Sequence, residues 1–197
     1  MKCPACKSKA SLLFIKDKET YNLCKSCGTI SVKGGLPQKD MVGGTGDRSH
    51  QDIIRASRFE YLYQRRVLDY GCGNGNLVDV CNSQGLDTDG YDQYNKKYDY
   101  IKDIKYDLVS MVEVIEHLSA PFNDLDIIYS LLNNNGFVYI ETTFIDNINH
   151  PYINSDYVNP KIGHCTIFSY SGLNILMERK GFTLHEMLNE NTIIYKK

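Results

Sequence analysis

Short apolar runs, separated by glycine, asparagine and charged residues, set the rhythm of this chain. Val67-Leu68 leads through Asp69-Tyr70 into Gly71, Gly73 and Gly75, and Asn76-Leu77-Val78-Asp79-Val80-Cys81 follows. The pattern predicts a buried strand over 66–70, a tight turn, and a helix over 75–84. Strands are predicted again over 87–92, 106–112 and 136–142. Helices are predicted over about 120–132 and 169–180. Pro121 suits the first turn of one helix, Asn133-Asn134-Asn135-Gly136 ends it, and Gly181 ends the other. From Asp47 or Ser49 to about Arg65, the positions Ile53, Ile54, Ala56, Phe59, Tyr61, Leu62 and Tyr63 fit a further helix. Phe182–Met187 and Thr192–Tyr195 read as a closing antiparallel pair. Strands alternating with helices predict an α/β fold with a mostly parallel sheet.

Residues 1–33 follow a different rhythm. Ser11–Ile15 and Tyr21–Leu23 read as short strands joined at Lys16-Asp17-Lys18-Glu19, and cysteine pairs flank them. Cys3 and Cys6, then Cys24 and Cys27, give Cys-x2-Cys, seventeen residues, Cys-x2-Cys. Two thiolates spaced in this way grip one ion from a tight turn, and two such turns complete a tetrahedron. The expectation is a small zinc ribbon over 1–33 whose stability comes from the metal. Two disulfides are the competing reading, disfavoured without a secretion signal. Glycine clusters at 34–35 and 43–46 mark 34–47 as a linker, and 48–197 as the main domain.

The glycine turn carries the first chemical signal. Alternate glycines let the backbone approach a ligand closely, and a helix start offers free N–H groups to polar or anionic ligands. Asp92 follows Gly75 by seventeen residues, where a neighbouring parallel strand would end, and its carboxylate can accept both hydroxyls of a ribose. A dinucleotide fingerprint would need glycine at 76, where this chain has Asn76. Glu113, Glu116 and His117 provide a second signal. They stand at i, i+3 and i+4 after a predicted strand end and would share one face of a helical turn. Two carboxylates and an imidazole suit Mg²⁺, Mn²⁺ or another divalent ion. The plain alternative is that they brace a loop.

From Asp69, Gly71, Gly73, Gly75 and Asp92 through Tyr106-Asp107-Leu108-Val109 to Glu113–Leu118, the chain resembles the class I S-adenosylmethionine-dependent methyltransferases. The resemblance implies a Rossmann-like fold. It puts the cofactor against Asp69, Gly71, Cys72, Gly73 and Gly75, with Met111 and Val112 nearby and Asp92 on the ribose. The fourteen residues between Asp92 and Asp107 are too few for the family's usual helix and strand, so one sheet edge should be trimmed. The family's adenine contact comes from that region, and Asp103 is the candidate. The Glu-x-x-Glu-His pattern is similar to that of small-RNA 2′-O-methyltransferases and ubiquinone-type O-methyltransferases. In these, two Glu, a His and a distant His hold Mg²⁺. His164 matches the distant His, which makes Glu113, Glu116, His117 and His164 the catalytic candidates. The acceptor this implies is a hydroxyl of a small molecule or sugar. An RNA 3′-end acceptor, a sugar C-methyltransferase and a non-catalytic zinc-ribbon adaptor are the other readings.

Composition adds bounds. The chain has 197 residues, 42 % hydrophobic and 23 % charged, as ordinary globular proteins have. Its net charge of −2 conceals an asymmetry: residues 1–33 hold seven Lys against Asp17 and Glu19. The main domain is acidic and does not advertise a nucleic-acid surface. No apolar run could cross a membrane, and a cytoplasmic location is expected. Arg55 and Arg58 read either as substrate contacts or as a solvated basic face. The loop over 143–167 has the length of a functional lid.

Overall fold

The computed structural model describes residues 1–36, 49–62 and 66–197. In chain order the strands are β1 (Ala10–Lys16), β2 (Glu19–Cys24), β3 (Ile30–Val32), β4 (Arg66–Tyr70), β5 (Asp87–Tyr91), β6 (Tyr106–Val112), β7 (Leu132–Glu141), β8 (Thr166–Ile167), β9 (Thr183–Asn189) and β10 (Thr192–Lys196). The helices are α1 (Ser49–Tyr61), α2 (Asn76–Ser83), α3 (Pro121–Leu131) and α4 (Tyr170–Arg179). Most of the predicted linker (37–47), Arg48 at the predicted domain start, and Tyr63 and Arg65 of the predicted first helix lie outside the described residues.

The main sheet has six strands in the order β5-β4-β6-β7-β10-β9. The first four are mutually parallel, and β10 runs antiparallel to both its neighbours, as the closing pair predicts. Val67 packs with Ala56 and Phe59 of α1 and Leu77 and Cys81 of α2. Leu68, its neighbour, faces the other way, toward Leu125 and Ile128 of α3 and Leu173 and Leu176 of α4. A parallel strand covered on both faces must be apolar on both, which is why the sequence shows a continuous run there. Asp69 lies level with Gly90 of β5 and Ser110 of β6, so the carboxyl ends of three strands form one rim. β5 is the edge strand, and residues 93–105 return to β6 without helix or strand, as their shortness predicts.

β7 begins four residues earlier than its apolar pattern suggests. Leu132 pairs with Tyr106, and the register then slips before Phe137 meets Leu108. The Asn133–Gly136 segment that ends α3 is therefore a bulge inside the strand, with Asn135 at φ 64°.

The N-terminal strands form a second sheet, in the order β1-β2-β3-β8. β8 comes from the far end of the chain: Ile30 pairs with Ile167, and Ser31 with Thr166. Tyr21, Ile30 and Val32 share a core with Ile145, Val158 and Ile167 of the 143–167 stretch, which is built from short 3-10 turns. Cys3, Ala5, Cys24 and Cys27 join the core that also holds α3 and α4. Each buried isoleucine there contributes about 2 kcal/mol by area.

Candidate active site

A cavity of about 710 Å³ opens at the rim of β4, β5 and β6. That volume lies within the range of small-molecule sites. Its floor is the glycine turn. Gly71, Gly73 and Gly75 all have positive φ, at 83°, 56° and 85°. At Gly71 a Cβ would collide with the Val114 side chain, so glycine is needed for both conformation and close approach. The N–H groups of Gly71 and Cys72 donate to the Tyr91 carbonyl at 2.7 and 3.0 Å, which seals the turn against β5.

Asp92 is fixed by two main-chain amides. Gly73 N–H donates to Oδ2 at 2.9 Å, and Tyr94 N–H donates to Oδ1 at 2.8 Å. Asn95 in turn donates to the Gly73 carbonyl at 2.7 Å. Asp69 is buried and accepts from the Ser110 hydroxyl at 2.8 Å, and burial pushes its pKa up to about 7. Burial also raises the Cys72 thiol, so Cys72 forms wall and is no thiolate nucleophile. Asp69, Gly71, Cys72, Gly73, Asp92 and Val112 all line the cavity. Met111 does not: its side chain is fully buried among α3 and α4 residues. Gly75 also stands back from the cavity and serves as the left-handed N-cap of α2.

His117 and His164 line the cavity and Glu116 is buried beside them; each of the three offers a ligand atom, all within 4.8 Å of one another. Glu116 and His117 sit on a single 3-10 turn (Ile115–His117), and His164 just precedes β8. The Cys165 N–H donates to the Glu116 carbonyl at 2.8 Å and ties the two segments together. His117 Nδ1 lies 3.2 Å from the Gly163 carbonyl, and His164 Nδ1 lies 2.8 Å from the Tyr157 carbonyl. A carbonyl can only accept, so Nδ1 carries the proton in both rings and Nε2 holds the lone pair. Burial lowers the pKa of His117. Burial and then His117 lower His164 to about 4. Both imidazoles are therefore neutral at neutral pH. Glu116 is buried completely; burial first and Glu113 second push its pKa up to about 8. Its Oε2 is buried without a hydrogen-bond partner among the described residues, whereas Oε1 accepts from the Tyr157 hydroxyl at 3.0 Å. Such an orphaned oxygen beside two imidazole lone pairs fits a cation.

Glu113 lines the cavity but lies outside that cluster. It takes φ 54°, a left-handed residue between β6 and the 3-10 turn, so the helical face expected of Glu113, Glu116 and His117 does not form. Arg55 lines the cavity and is not a solvated cation: it is buried, at 2.6 Å from Asp52 and 2.5 Å from Glu141. Arg58 reaches the Tyr139 hydroxyl. Asp103 is exposed and outside the cavity, while Asp124 of α3 lines it. Tyr157 and Asp124 carry no sequence signal of their own: Tyr157 lies in an aperiodic loop, and Asp124 reads as an ordinary polar helix position.

The four N-terminal cysteines form a second cluster within the same 4.8 Å limit. Cys3 and Cys27 sulfurs lie 3.7 Å apart, and those of Cys6 and Cys24 lie 3.4 Å apart. These separations are too long for disulfides, at about 2.05 Å. They approach the edge of a Zn–S tetrahedron, about 3.8 Å for bonds of 2.3 Å.

Comparison with known proteins agrees with this geometry. The family described as "Methyltransferase domain" matches residues 44–187. The fold is similar to 1,6-didemethyltoxoflavin-N1-methyltransferase of Burkholderia thailandensis, solved with 1,6-didemethyltoxoflavin and S-adenosylhomocysteine. The TM-score is 0.60 at 15 % identity, over 95 % of this chain and 99 % of that one. A Nostoc punctiforme protein described as an O-methyltransferase gives 0.58 at 15 % identity, over 76 % of this chain, which spans 56 % of its length. A SAM-dependent methyltransferase of Archaeoglobus fulgidus gives 0.54 at 19 % identity, over 74 % of this chain and 94 % of that one. At these identities the likeness is one of fold. No curated protein matches the chain.

Proposed function

The chain belongs to the methyltransferase-domain family as a class I S-adenosylmethionine-dependent methyltransferase, and from that premise we propose that it methylates a hydroxyl of a small molecule or sugar. The proposed centre is Glu116, His117 and His164, holding a divalent cation beside the acceptor.

Transfer of a methyl group from a sulfonium to oxygen is an in-line displacement. The O–C bond forms as the C–S bond breaks, a thioether leaves, and the acceptor hydroxyl gives up its proton. Most of the work is positioning. Asp92, already fixed by two amides, keeps lone pairs for ribose hydroxyls, and the Gly71–Gly75 turn admits the cofactor against the backbone. The neutral imidazoles of His117 and His164 can accept the acceptor's proton at Nε2. A cation bound there would lower the acceptor's pKa and anchor a neighbouring oxygen. Two nitrogen donors suit Mn²⁺ or another first-row ion better than Mg²⁺, which prefers oxygen.

The observation that carries this reading is the buried, unpartnered Oε2 of Glu116 beside two neutral imidazoles. We also assign a structural Zn²⁺ to Cys3, Cys6, Cys24 and Cys27, and a buttressing role to the ribbon through the β3–β8 pair that follows His164. None of the seven cysteines is in a disulfide, which suits the cytoplasm.

The test is methyl transfer from labelled S-adenosylmethionine to a panel of catechols, sugars and total RNA, with and without Mn²⁺. Label on a small hydroxylic acceptor, stimulated by Mn²⁺, is expected. Label confined to RNA ends, or placed on a sugar carbon, would overturn the acceptor assignment.

A further inference from the structure

We propose that Tyr157 is the positioning residue of this centre, holding Glu116 with its side chain and His164 with its main chain. The inference rests on the reading of Glu116, His117 and His164 as a cation site.

The phenol stands in a directed set of hydrogen bonds. Thr143 N–H donates to the phenol oxygen at 3.3 Å, and Thr142 Oγ1 lies 2.9 Å from it. With a cation holding Glu116 ionised, its carboxylate can only accept, so the one proton of the phenol goes to Glu116 Oε1, 3.0 Å away, and the Thr142 hydroxyl is left to donate to the phenol. That bond occupies one carboxylate oxygen and leaves Oε2 as the only one open to a ligand. Meanwhile the Tyr157 carbonyl accepts from His164 Nδ1 at 2.8 Å, which fixes the tautomer with Nε2 unprotonated. The two rings also pack at 4.0 Å between centroids. One residue thus sets the available oxygen of one ligand and the available nitrogen of another. This is the outer-shell role that orients metal ligands.

The backbone is built to hold Tyr157 still. It lies in the 3-10 turn Asp156–Val158, where Ser155 Oγ accepts the Tyr157 N–H at 3.2 Å. Val158, next in the chain, is buried against the ribbon core. Lys16 of β1 donates to the Ser155 carbonyl at 3.2 Å and the Ile153 carbonyl at 2.8 Å.

Tyr157→Phe removes the phenol proton and keeps the ring. The probe is Mn²⁺ itself, titrated calorimetrically into the full-length protein with S-adenosylhomocysteine bound. Mn²⁺ affinity should fall about tenfold, with S-adenosylhomocysteine affinity unchanged. Thr142→Val, which removes the group that orients the phenol, should cause a smaller loss in the same direction. Equal Mn²⁺ affinity in Tyr157→Phe and wild type would overturn the proposal. So would a joint loss of Mn²⁺ and S-adenosylhomocysteine binding in both variants, since that marks a merely structural residue. If wild type binds S-adenosylhomocysteine but no Mn²⁺, the cation reading itself falls and takes this proposal with it.

Discussion

Ser169 holds two structures together with one hydroxyl. Its oxygen accepts the Gly172 N–H at 2.9 Å and so caps α4, while its proton goes to the Cys27 carbonyl. The start of α4 and the second cysteine turn of the ribbon are therefore locked to each other. Ser169→Ala should cost about 1–2 kcal/mol through loss of the cap and the buried bond. For a chain of this size that lowers the melting temperature by about 5 °C, measurable by calorimetry. An unchanged melting temperature would show that the contact contributes nothing net.

Metal removal tests the ribbon directly. One equivalent of Zn²⁺ per chain should be released when the thiols are blocked, measured with a chromogenic chelator. Because Cys3, Cys24 and Cys27 share their core with α3 and α4, the zinc-free protein should melt well below the loaded one. A full-strength melt after zinc loss would mean that the cysteines are not a structural centre.

Asp92→Ala should weaken S-adenosylhomocysteine binding on the order of 100-fold. The substitution removes the carboxylate proposed to accept the ribose hydroxyls and also strands the Gly73 and Tyr94 amides that now donate to it. Isothermal calorimetry reads the loss, and wild-type affinity in the variant would remove Asp92 from the cofactor site.

Asp124 is expected to take over the adenine contact that the trimmed edge removes. It is half-buried in the cavity wall, its pKa is raised by burial, and its own backbone N–H is its hydrogen-bond partner. A carboxylate there can accept from the adenine 6-amino group. Asp124→Ala should therefore bind S-adenosylhomocysteine about tenfold more weakly and lose discrimination against the 6-oxo analogue. Undiminished discrimination would assign that contact elsewhere.

Stability should fall as pH rises from 6.5 to 8 when no divalent cation is present at Glu116. Glu116 (about 8) and Asp69 (about 7) keep their protons in the folded protein, while in the unfolded chain both are ionised in this window. The folded state then binds more protons, so raising pH favours unfolding. The lowered values of His117 and His164 act with the opposite sign mainly below their ordinary value of 6.5, and Cys6, lowered to about 6, acts with the opposite sign across the window, so the measurement is made with Zn²⁺ holding the ribbon cysteines as thiolates. The expected loss is about 1–2 kcal/mol, and Mn²⁺ should flatten the slope by holding Glu116 ionised. Melting curves that rise over this window would contradict the buried, protonated state of Glu116.

The central strand was legible because Val67 and Leu68 must be apolar on both faces and because three glycines in alternation have few other uses. The trimmed edge was legible from chain length alone. What stayed hidden depends on contacts between distant segments. β3 and β8 have three and two residues, too short for any period to show, and each is a strand only because the other is there. Glu113 looked like the first turn of a helix, but its main-chain N–H pairs with the Glu141 carbonyl at 2.8 Å and its backbone turns left-handed. Arg55 looked like a surface cation because nothing nearby in sequence announces Glu141 as its partner. Tyr157 acquires its role only where the loop returns over Glu116.

The pairing of Ile30 with Ile167 also imposes an order in time. A ribosome making about 5–20 residues per second needs roughly 7–27 seconds to travel from one to the other. During that interval the nascent ribbon carries an unpaired edge at β3 with Ile30 and Val32 uncovered. The ribbon, made well before the strand that completes it, is thus among the last parts to be finished, and the step that finishes it also sets His164 in place.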